Sequence, residues 1–411
     1  MADPWLTIIG LGEDGPDGLS EASREALARA TIIFGGPRHL DLLGAGARGR
    51  AWPVPFSTRP VLAERGRPVV VLASGDPFWF GAGGSLMADL AAGEWVAHPA
   101  PSTFGLAAAR LGWRLEEVLC LGLHAAPFAR LRPVLTPGVR AICLIRDGAA
   151  AGALCRWLTE QGWGASGVTI LEALGGARER VRRVRAEGFD LTDVAAPVAV
   201  AIEAAGAKGL PRTPGLPDDL FAHDGQITKR AVRAMTLSAL APRTGEVLWD
   251  LGAGSGSISV EWCLAAPGAR AHAVENRADR LANIRENAAR FGVEHRLSAQ
   301  DGGWPGLIAT LPRPDAVFVG GGLDAERLKA LWALLPEGAR LVVNTVTIGT
   351  ESLVAAWHGQ EGGTLMRIDI AEAAPLGRMQ GWVPARPVVQ WSVTRCGWRG
   401  SGSGPRRRPT R

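Results

Sequence analysis

Residues 246–261 read EVLWDLGAGSGSISVE, and this segment specifies the fold class of the second half of the chain. The apolar run that ends at Asp250 is typical of a buried strand, and a helix is predicted directly after the turn. Three alternating glycines fill that turn, namely Gly252, Gly254 and Gly256. Glycine accepts positive φ and lets the backbone approach a ligand closely. Because the spacing is GxGxG after an acid and not GxGxxG, the turn suits a ligand that has no pyrophosphate.

A second acidic position supports a nucleoside site in this half. The predicted strand ARAHAVE ends at Glu275, about 20 residues beyond the turn, where a carboxylate can accept hydrogen bonds from both ribose hydroxyls. Asp301 follows the third predicted strand, at a place where an adenine can be contacted. The alternative is that Asp250 and Glu275 only cap neighbouring helices. The agreement of turn, spacing and strand order favours the nucleoside site.

The composition is that of a folded chain with two domains. With 411 residues the chain exceeds the size of one ordinary core, and 47% hydrophobic with 21% charged residues lies in the globular range. The five cysteines form no CxxC pair, so neither a zinc site nor a disulfide framework is predicted. The chain shows neither a signal-like start nor a run of about 18 apolar residues. We therefore expect a cytoplasmic protein without a membrane span.

The net positive charge of the chain comes from its C-terminal end. The net charge is +5, yet six arginines lie beyond residue 394, and without them the remainder is about −1. These arginines are Arg395, Arg399, Arg406, Arg407, Arg408 and Arg411. A Gly/Ser/Pro/Arg tail of this kind, residues 396–411, is predicted to be solvated and disordered. The charge therefore predicts no nucleic-acid partner.

Two α/β units are predicted on either side of a proline-rich linker. In the first half, short apolar runs alternate with loops and helical stretches from Trp5 onward, which predicts a largely parallel sheet. Three prolines within 208–219 mark the linker. The second half shows another alternation of helices and strands that does not repeat the first. The domains are expected at 1–209 and 224–395, with the linker at 210–223.

Three separated segments carry the chemistry predicted for the first half. They are IIGLGEDGPDGLS at 8–20, ASGDPFWFGAG at 73–83 and PAPSTFGLAAARLGW at 99–113. Each alone has an ordinary explanation as a turn or a helix N-cap, but in this order and spacing they resemble the tetrapyrrole methylase family. The resemblance implies two α/β subdomains and a site for S-adenosylmethionine. The residues that it places beside this cofactor are Gly10, Gly12, Gly75, Asp76, Pro77, Ser102 and Thr103.

Further segments resemble the branch of that family that methylates C5 of the precorrin ring. IIFGGPRHL at 32–40 and RDG at 146–148 match this branch. Where the branch often shows Ser-x-His-Gly-Arg, this chain has GLHAAPF, which keeps His124 without the Gly-Arg. We therefore expect His124 to be a structural residue. Arg38 is a candidate for binding the carboxylates of the substrate.

The second half resembles the class I methyltransferases, which have a Rossmann-like fold. In that pattern the segment DGQITK leads into the domain, and its threonine contacts the cofactor. The S-adenosylmethionine residues that the resemblance implies are Thr228, Asp250, Gly252, Gly254, Ser255, Gly256, Glu275, Asp301 and Gly302. FVGGGLD stands where a nucleic-acid adenine methylase has an NPPY-like segment, which suits a bulky planar substrate better than a flipped base.

Together the two halves are similar to the fused precorrin-6B (precorrin-6Y) C5,15-methyltransferases (decarboxylating). The resemblance implies transfer of two methyl groups from S-adenosylmethionine to C5 and C15 of precorrin-6B. It also implies decarboxylation of the C12 acetate, so that precorrin-8X forms in cobalamin biosynthesis. We expect two cofactor sites, one in each domain, no metal, and a homo-oligomer. The residues expected to line the tetrapyrrole are Asn344, Thr345, Thr347 and Arg378.

Two alternatives from other classes stay open at this point. A class I RNA methyltransferase with an accessory domain would need a basic stripe on its folded surface, of which the charge gives no sign. A non-catalytic corrinoid-binding protein would not need intact glycine turns and both cofactor-side acids. No Ser/His/Asp triad is predicted, because the nucleophile is a carbon of the macrocycle and the protein has mainly to align the reactants and exclude water.

Overall fold

The computed structural model describes residues 4–396. Positions 1–3 and 397–411 lie outside the described residues, so the prediction of a disordered Arg-rich tail concerns a part that the structure does not describe. None of the helices in the described part has the length and apolar character that a bilayer crossing requires.

The described residues form two compact units. The first unit comprises the residues up to Phe128 together with Val134–Gly209. The second comprises Ala129–Pro133 and the residues from Leu210 onward. Both units combine parallel strands with helices, which confirms the predicted α/β class.

The first unit begins with a parallel sheet of five strands. Its strands and helices are β1 (Leu6–Leu11), α1 (Glu21–Arg29), β2 (Ile32–Gly35), α2 (Pro37–Leu43), β3 (Gly49–Ala51), α3 (Arg59–Leu62), β4 (Val69–Ser74), α4 (Ala82–Leu86), β5 (Trp95–His98) and α5 (Thr103–Leu111). The strand order is β3-β2-β4-β1-β5. Along β4, Val70 and Leu72 pack with α1 on one face, and Val69 and Val71 pack with α3 and α4 on the other. The carboxyl ends of β1, β2 and β4 meet at one edge, which is where open α/β sheets bind ligands.

The second sheet of this unit is mixed. It contains β6 (Leu119–Gly122), β7 (Arg140–Leu144), β8 (Gly167–Glu172), β9 (Arg180–Arg185) and β10 (Val198–Glu203), with α6 (Gly148–Glu160) after β7. The strand order is β6-β7-β10-β8-β9, and β6–β7 is the one parallel pair in this part of the described chain. The expected largely parallel sheet is therefore wrong for this half of the unit. The connection 173–179 between β8 and β9 is too short for the crossover that parallel strands need.

The second unit is built on one seven-stranded sheet. Its elements are α7 (Arg230–Leu240), β11 (Val247–Leu251), α8 (Ser257–Ala265), β12 (Arg270–Glu275), α9 (Ala278–Arg290), β13 (Leu297–Asp301), α10 (Trp304–Leu307), β14 (Ala316–Val319), α11 (Ala325–Leu334), β15 (Arg340–Thr345), α12 (Ile348–Glu361), β16 (Thr364–Ile368), β17 (Ala371–Leu376), β18 (Met379–Pro384) and β19 (Val388–Thr394). The strand order is β13-β12-β11-β14-β15-β19-β16, with β19 antiparallel to both of its neighbours. The winding direction reverses between β11 and β14, which leaves a crevice at their carboxyl ends.

Apolar side chains cover both faces of this sheet. Leu248 of β11 packs on one face with Trp262 of α8, whereas Trp249 packs on the other face with Trp332 of α11. Successive strand residues point to opposite faces. Asp250 therefore shares a face with Leu248 and points toward α8.

The predicted linker is in part a built segment of the second unit. Residues 211–214 are exposed, but Leu216 is 2% exposed and belongs to the core. The buried carboxylate of Glu261 in α8 accepts hydrogen bonds from the backbone N–H groups of Gly215 (2.6 Å) and Leu216 (3.0 Å). The fully buried guanidinium of Arg233 donates to the same carboxylate at 2.5 Å. The expected linker is thus confined to the few exposed residues before the segment docks.

A hairpin formed by β17 and β18 leaves the sheet of the second unit. The preceding strand ends at Ile368 and the following strand begins at Val388, and the register pairs these two residues with each other. Val389 is paired with Thr345, at the carboxyl end of β15. The base of the hairpin therefore lies at the edge of the sheet where the parallel strands end. Its large exposed apolar side chains are Leu376, Met379, Trp382 and Val383.

Candidate active sites

The glycine turn of the second unit joins β11 to α8 and has a conformation that requires its glycines. Gly252, Gly254 and Gly256 have φ values of +72°, +59° and +71°, in the left-handed region that other residues avoid. A Cβ on Gly252 would lie 3.0 Å from the carbonyl oxygen of Gly321, in the loop after β14. A Cβ on Gly254 would lie 3.9 Å from the carbonyl oxygen of Gln226. The segments FVGGGLD and DGQITK therefore both flank the turn.

Glu275 connects the turn to the neighbouring strand. Its Oε2 accepts a 2.9 Å hydrogen bond from the backbone N–H of Gly254. Its Oε1 accepts from the backbone N–H groups of Asn276 (3.0 Å) and Arg277 (3.2 Å). The N-cap position of α9 is Arg277, so Glu275 is not the cap of that helix. The carboxylate is 5% exposed and lies at the carboxyl edge of the sheet.

Asp250 is buried beneath the same turn. Its Oδ2 accepts a 2.6 Å hydrogen bond from Oγ of Ser259 in α8, and its Oδ1 has no partner among the described residues. Burial raises the pKa of this carboxyl to about 7, and the negative charge of Glu275 adds to the rise. Gly256 is the N-cap of α8, which excludes Asp250 from that role. The Oγ of Ser255 is also buried without a partner in the described part of the chain.

Three further predicted residues lie along this edge. Asp301 is paired in register with Glu275, and the N–H of Gly302 donates to the carbonyl of Glu275 at 3.1 Å. Thr228 follows Gln226, whose carbonyl flanks the turn, and its own carbonyl accepts from buried Arg233 at 2.5 Å. The structure therefore brings the predicted cofactor residues of the second unit to one edge of one sheet.

The residues expected to line the tetrapyrrole are held by local bonds. Nδ2 of Asn344 donates to Oγ1 of Thr236 at 2.8 Å, and Nε2 of Gln390 donates to Oδ1 of Asn344 at 2.9 Å. Thr347 is the N-cap of α12, and Thr345 is 5% exposed. These bonds support the carboxyl end of β15 from within. Contact between these side chains and a substrate stays a prediction.

Arg378 occupies the tip of the β17–β18 hairpin. It forms the two-residue turn together with Gly377, which has φ +62°. Its side chain is exposed. A role in binding carboxylates is compatible with this exposure and stays a prediction.

Three loops of the first unit converge at the carboxyl edge of its parallel sheet. A Cβ on Gly10 would lie 1.9 Å from the carbonyl oxygen of Gly75 and 2.4 Å from the amide nitrogen of Ala100. The amide of Ala100 donates to the carbonyl of Gly75 at 3.1 Å. Gly12 and Pro77 stand in two of the same loops. The three segments singled out in the sequence thus form one local structure, in which position 10 has no room for a side chain.

Polar residues of these loops also make local hydrogen bonds. Oδ1 of Asp76 accepts from the N–H of Phe78 at 2.8 Å, and Oγ of Ser102 accepts from the N–H of Gly105 at 3.1 Å as the N-cap of α5. These are the ordinary turn and cap roles that the sequence also allowed. Ser102 and Thr103 nevertheless line a cavity, so both are accessible to a ligand.

This cavity of about 320 Å³ lies within the first unit. Its aromatic lining consists of Trp52, Trp79, Phe80 and Phe104. Its polar lining includes His39 and Ser74 besides the helix-capping residues, and His124 also contributes to the wall. A mostly apolar, aromatic pocket with few polar groups is typical of a site for a small organic molecule.

Two residues of this cavity were missed in the sequence. Nε2 of His39 and Oγ of Ser74 are 2.9 Å apart, and burial together with the charge of Arg38 lowers the pKa of His39 to about 4. Arg38, a candidate for binding substrate carboxylates, forms an ion pair with Glu13, and its contact with a substrate stays a prediction. Ser74 ends β4, and His39 follows β2, which is the parallel neighbour of β4. A correct prediction of this strand pairing could have placed the two residues together.

Two family models together match most of the chain. Residues 5–190 match the tetrapyrrole (corrin/porphyrin) methylases. Residues 219–395 match the precorrin methyltransferase domain.

Curated relatives extend over nearly the whole chain. A precorrin-6Y C(5,15)-methyltransferase [decarboxylating] of Sinorhizobium sp is 48% identical over 403 residues, which cover 96% of this chain and 97% of the relative. A protein of the same name from Mycobacterium tuberculosis (strain CDC 1551 / Oshkosh) is 40% identical over 398 residues, which cover 95% of this chain and 100% of the relative. The crystal structure of the C-terminal domain of precorrin-6Y C5,15-methyltransferase from Rhodobacter capsulatus covers 45% of this chain and 100% of its own, at 53% identity and a TM-score of 0.44.

Proposed function

Because the chain belongs to the family of decarboxylating precorrin-6Y C5,15-methyltransferases, we propose that it methylates a precorrin at C5 and C15 and releases one carboxyl group as carbon dioxide. The substrate is precorrin-6B, the carboxyl group is that of the C12 acetate, and the product is precorrin-8X of cobalamin biosynthesis. The methyl donor is S-adenosylmethionine. The observation that carries this proposal is the 48% identity over 96% of the chain, which includes both units.

The edge of the second unit fits S-adenosylmethionine. The ammonium group and the two ribose hydroxyls of this molecule are hydrogen-bond donors. Oδ1 of Asp250 is a buried acceptor without a partner in the described residues, and the carboxylate of Glu275 has lone pairs beyond its backbone bonds. The lack of a side chain at Gly254 leaves space beside both. These observations support a cofactor site at the glycine turn.

The residues of this site would bind and orient the donor. When bound, S-adenosylmethionine supplies an electrophilic methyl group on a sulfonium. Glu275 would accept hydrogen bonds from the ribose hydroxyls, and ionised Asp250 would pair with the ammonium group, whose charge would oppose the rise in the pKa of Asp250. The rigid turn keeps both carboxylates at one edge, so the donor is aligned with the macrocycle rather than activated by a base.

A second cofactor site is proposed in the first unit. The converging loops around Gly10 and Gly75 lie beside a cavity that Ser102 and Thr103 line. The match of residues 5–190 to the tetrapyrrole methylases supports methyl transfer by this unit. One cofactor per unit gives two per chain.

We assign C5 methylation to residues 1–209, and C15 methylation with decarboxylation to residues 224–395. Loss of carbon dioxide leaves an electron pair that needs an acceptor. Methylation of the macrocycle near the acetate leaves a cationic conjugated system, which can accept that pair itself. The second unit then has only to hold the carboxylate aligned and poorly solvated.

We also propose that the chain forms a homo-oligomer through the β17–β18 hairpin. An isolated two-stranded hairpin is marginally stable, and this one exposes Leu376, Met379 and Trp382 at 70%, 76% and 76%. The partner that covers this hairpin is a second copy of the chain. One isologous contact between two identical hairpins buries these side chains on both copies, and it also pairs the free strand edges of the hairpins. A cytoplasmic location stays a prediction.

Product analysis tests the proposed function. The full chain is incubated with precorrin-6B and methyl-labelled S-adenosylmethionine. The mass of the product is measured by mass spectrometry, and the carbon dioxide that is released is collected and quantified. We expect two labelled methyl groups and one carbon dioxide per product molecule, no carbon dioxide without the donor, and no effect of a chelator. A single added methyl group, or carbon dioxide released without the donor, would contradict the proposal.

A further inference from the structure

The cavity of the first unit contains a serine and a histidine to which no role has been assigned. Ser74 ends β4, and His39 lies in α2, directly after the parallel neighbour of that strand. Ser74 is exposed where it lines the cavity, whereas His39 is 9% exposed behind it. Their side chains form a hydrogen bond of 2.9 Å between Oγ and Nε2. A hydroxyl at the cavity surface is thus backed by an imidazole.

Arg38 determines which nitrogen of the imidazole carries the proton. A guanidinium can only donate, and Nη2 of Arg38 lies 2.8 Å from Nε2 of His39 and 3.1 Å from Oγ of Ser74. Nε2 is therefore unprotonated, and its lone pair is shared between the N–H of Arg38 and the hydroxyl of Ser74. Burial, reinforced by the charge of Arg38, lowers the pKa of His39 to about 4, so the ring is neutral near pH 7.

The rest of the cavity suits the edge of a flat conjugated ring. Phe80 has φ +57°, a strained conformation that is common at functional sites, and a Cβ on Gly122 would lie 2.9 Å from its ring. The ring centroids of Trp79 and Phe104 lie 4.8 Å apart. A volume of about 320 Å³ is at the lower end of ligand sites, so the cavity has room for one edge of a tetrapyrrole and not for the whole ring. A meso carbon such as C5 lies on that edge.

We propose that Ser74, backed by His39, takes the proton that C5 loses on methylation, an inference that rests on the proposed function. Methyl transfer forms the C5–CH3 bond, breaks the S–CH3 bond and leaves a positive charge on the macrocycle. Breaking the C5–H bond returns its electron pair to the conjugated system and neutralises that charge. The proton passes to Oγ of Ser74 while the hydroxyl proton passes to Nε2 of His39, which later releases it to water.

A weakly basic histidine is sufficient for this step. The methylated macrocycle is cationic, so its C5–H bond is far more acidic than that of the substrate. The carboxylate of Glu13 is paired with Arg38 and also, at 3.5 Å, with Arg178, so it offsets part of the positive charge that these two arginines and protonated His39 carry together. Arg38 can keep its hydrogen bond to Ser74 when Nε2 no longer accepts.

The variant His39→Gln tests the inference in the full chain. An amide at this position can still accept from Ser74 but cannot take up a proton. We expect kcat for C5 methylation to fall about 100-fold or more, with KM nearly unchanged. Substrate deuterated at C5 should show a larger isotope effect on kcat in the variant than in the wild type, because deprotonation becomes rate-limiting. A merely structural role of His39 would not change the isotope effect.

Ser74→Ala is the second variant and should lose C5 methylation to a similar extent. Calorimetric titration with S-adenosylmethionine checks that each variant keeps the wild-type number of cofactor sites. If His39→Gln has lost a site, the activity of Ser74→Ala tests the inference in its place. A wild-type kcat in both variants would overturn the inference. It would also be overturned if His124→Gln lost C5 methylation while His39→Gln stayed active. A wild-type chain that adds no methyl group to C5 would contradict the proposed function instead.

Discussion

The backbone N–H of Gly254 donates a 2.9 Å hydrogen bond to the carboxylate of Glu275, and this bond ties the turn after β11 to the end of β12. The two residues are 21 positions apart, and the strands that precede the turn and end at Glu275 are parallel neighbours. The position of the carboxylate is thereby coupled to the conformation of the turn. A ligand at this edge therefore meets one preorganised unit rather than two independent motifs.

Glu275→Gln should weaken S-adenosylmethionine binding to the second unit. The amide has one acceptor atom where the carboxylate has two, and it carries no charge. We expect affinity to fall about 10- to 100-fold, as for the loss of hydrogen bonds to a charged group, while the site of the first unit is unchanged. Calorimetric titration measures both sites. Glu337→Gln, which changes an exposed acid of the same unit, is the matched control, and equal weakening in both variants would refute the assignment.

Gly10→Ala should damage the first unit selectively. The added Cβ would lie 1.9 Å from the carbonyl oxygen of Gly75 and 2.4 Å from the amide of Ala100, and backbone atoms cannot give way as a flexible side chain can. We expect a loss of at least about 1–3 kcal/mol in the stability of this unit and loss of its cofactor site. Denaturant unfolding and calorimetry report these effects. Gly84→Ala, where a Cβ meets nothing within 4 Å, should be nearly silent, and a silent Gly10→Ala would disprove the close packing.

The stability of the ligand-free chain should depend on pH through Asp250. Burial raises the pKa of this carboxyl from 3.8 to about 7, so the folded state keeps a proton that the unfolded chain has lost. The contribution of Asp250 to stability is therefore fully present below pH about 4 and is lost as pH rises through about 7. Asp250→Asn removes this loss, so the variant should gain stability relative to the wild type as pH rises from about 4 to about 7. Urea denaturation across this range measures the difference.

The exposed acid Asp219 provides the control for this experiment. Asp219→Asn should give a profile parallel to that of the wild type, because its carboxyl is accessible to water. A difference between Asp250→Asn and wild type that stays constant with pH would show that Asp250 does not titrate in this range.

The second unit should be more stable alone when it includes the docked part of the linker. Leu216 and Phe221 are 2% and 4% exposed in its core, and buried Glu261 depends on the N–H groups of Gly215 and Leu216. A fragment 210–395 should therefore unfold cooperatively at a higher temperature than a fragment 224–395, which leaves a buried charge with fewer partners. Limited proteolysis of the full chain should cut within 211–214. Equal stability of the fragments would argue against the docking.

Trp382→Glu should dissociate the proposed oligomer. The side chain is 76% exposed in one chain, and a charge at this position would repel its counterpart across an isologous contact. Sedimentation analysis should show a smaller species than the wild type. Leu334→Glu introduces the same charge at a 49% exposed apolar residue of α11 and should leave the assembly unchanged. An unchanged species for Trp382→Glu would remove the hairpin from the interface.

Much of the candidate site was predictable because its residues lie close together in the chain. The positive φ of Gly252 and its neighbours follows from a turn that only glycine tolerates, and the acid before it ends a strand with a clear apolar pattern. Asn344 illustrates where this reasoning stops. Its place at a strand end was expected, but its hydrogen bonds to Thr236 and Gln390 depend on partners 108 and 46 positions away.

The amino-acid sequence was sufficient for the two α/β units, the glycine turns and the acids at the strand ends, since these depend on local spacing and periodicity. Strand order and packing determined the rest. Ser74 and His39, 35 positions apart, meet because β2 and β4 are neighbours in the sheet. Gly215 docks because Glu261, 46 positions later, is buried beneath it. Such contacts depend on which segments pack together in three dimensions, and a hydrophobic pattern along the chain does not specify that choice.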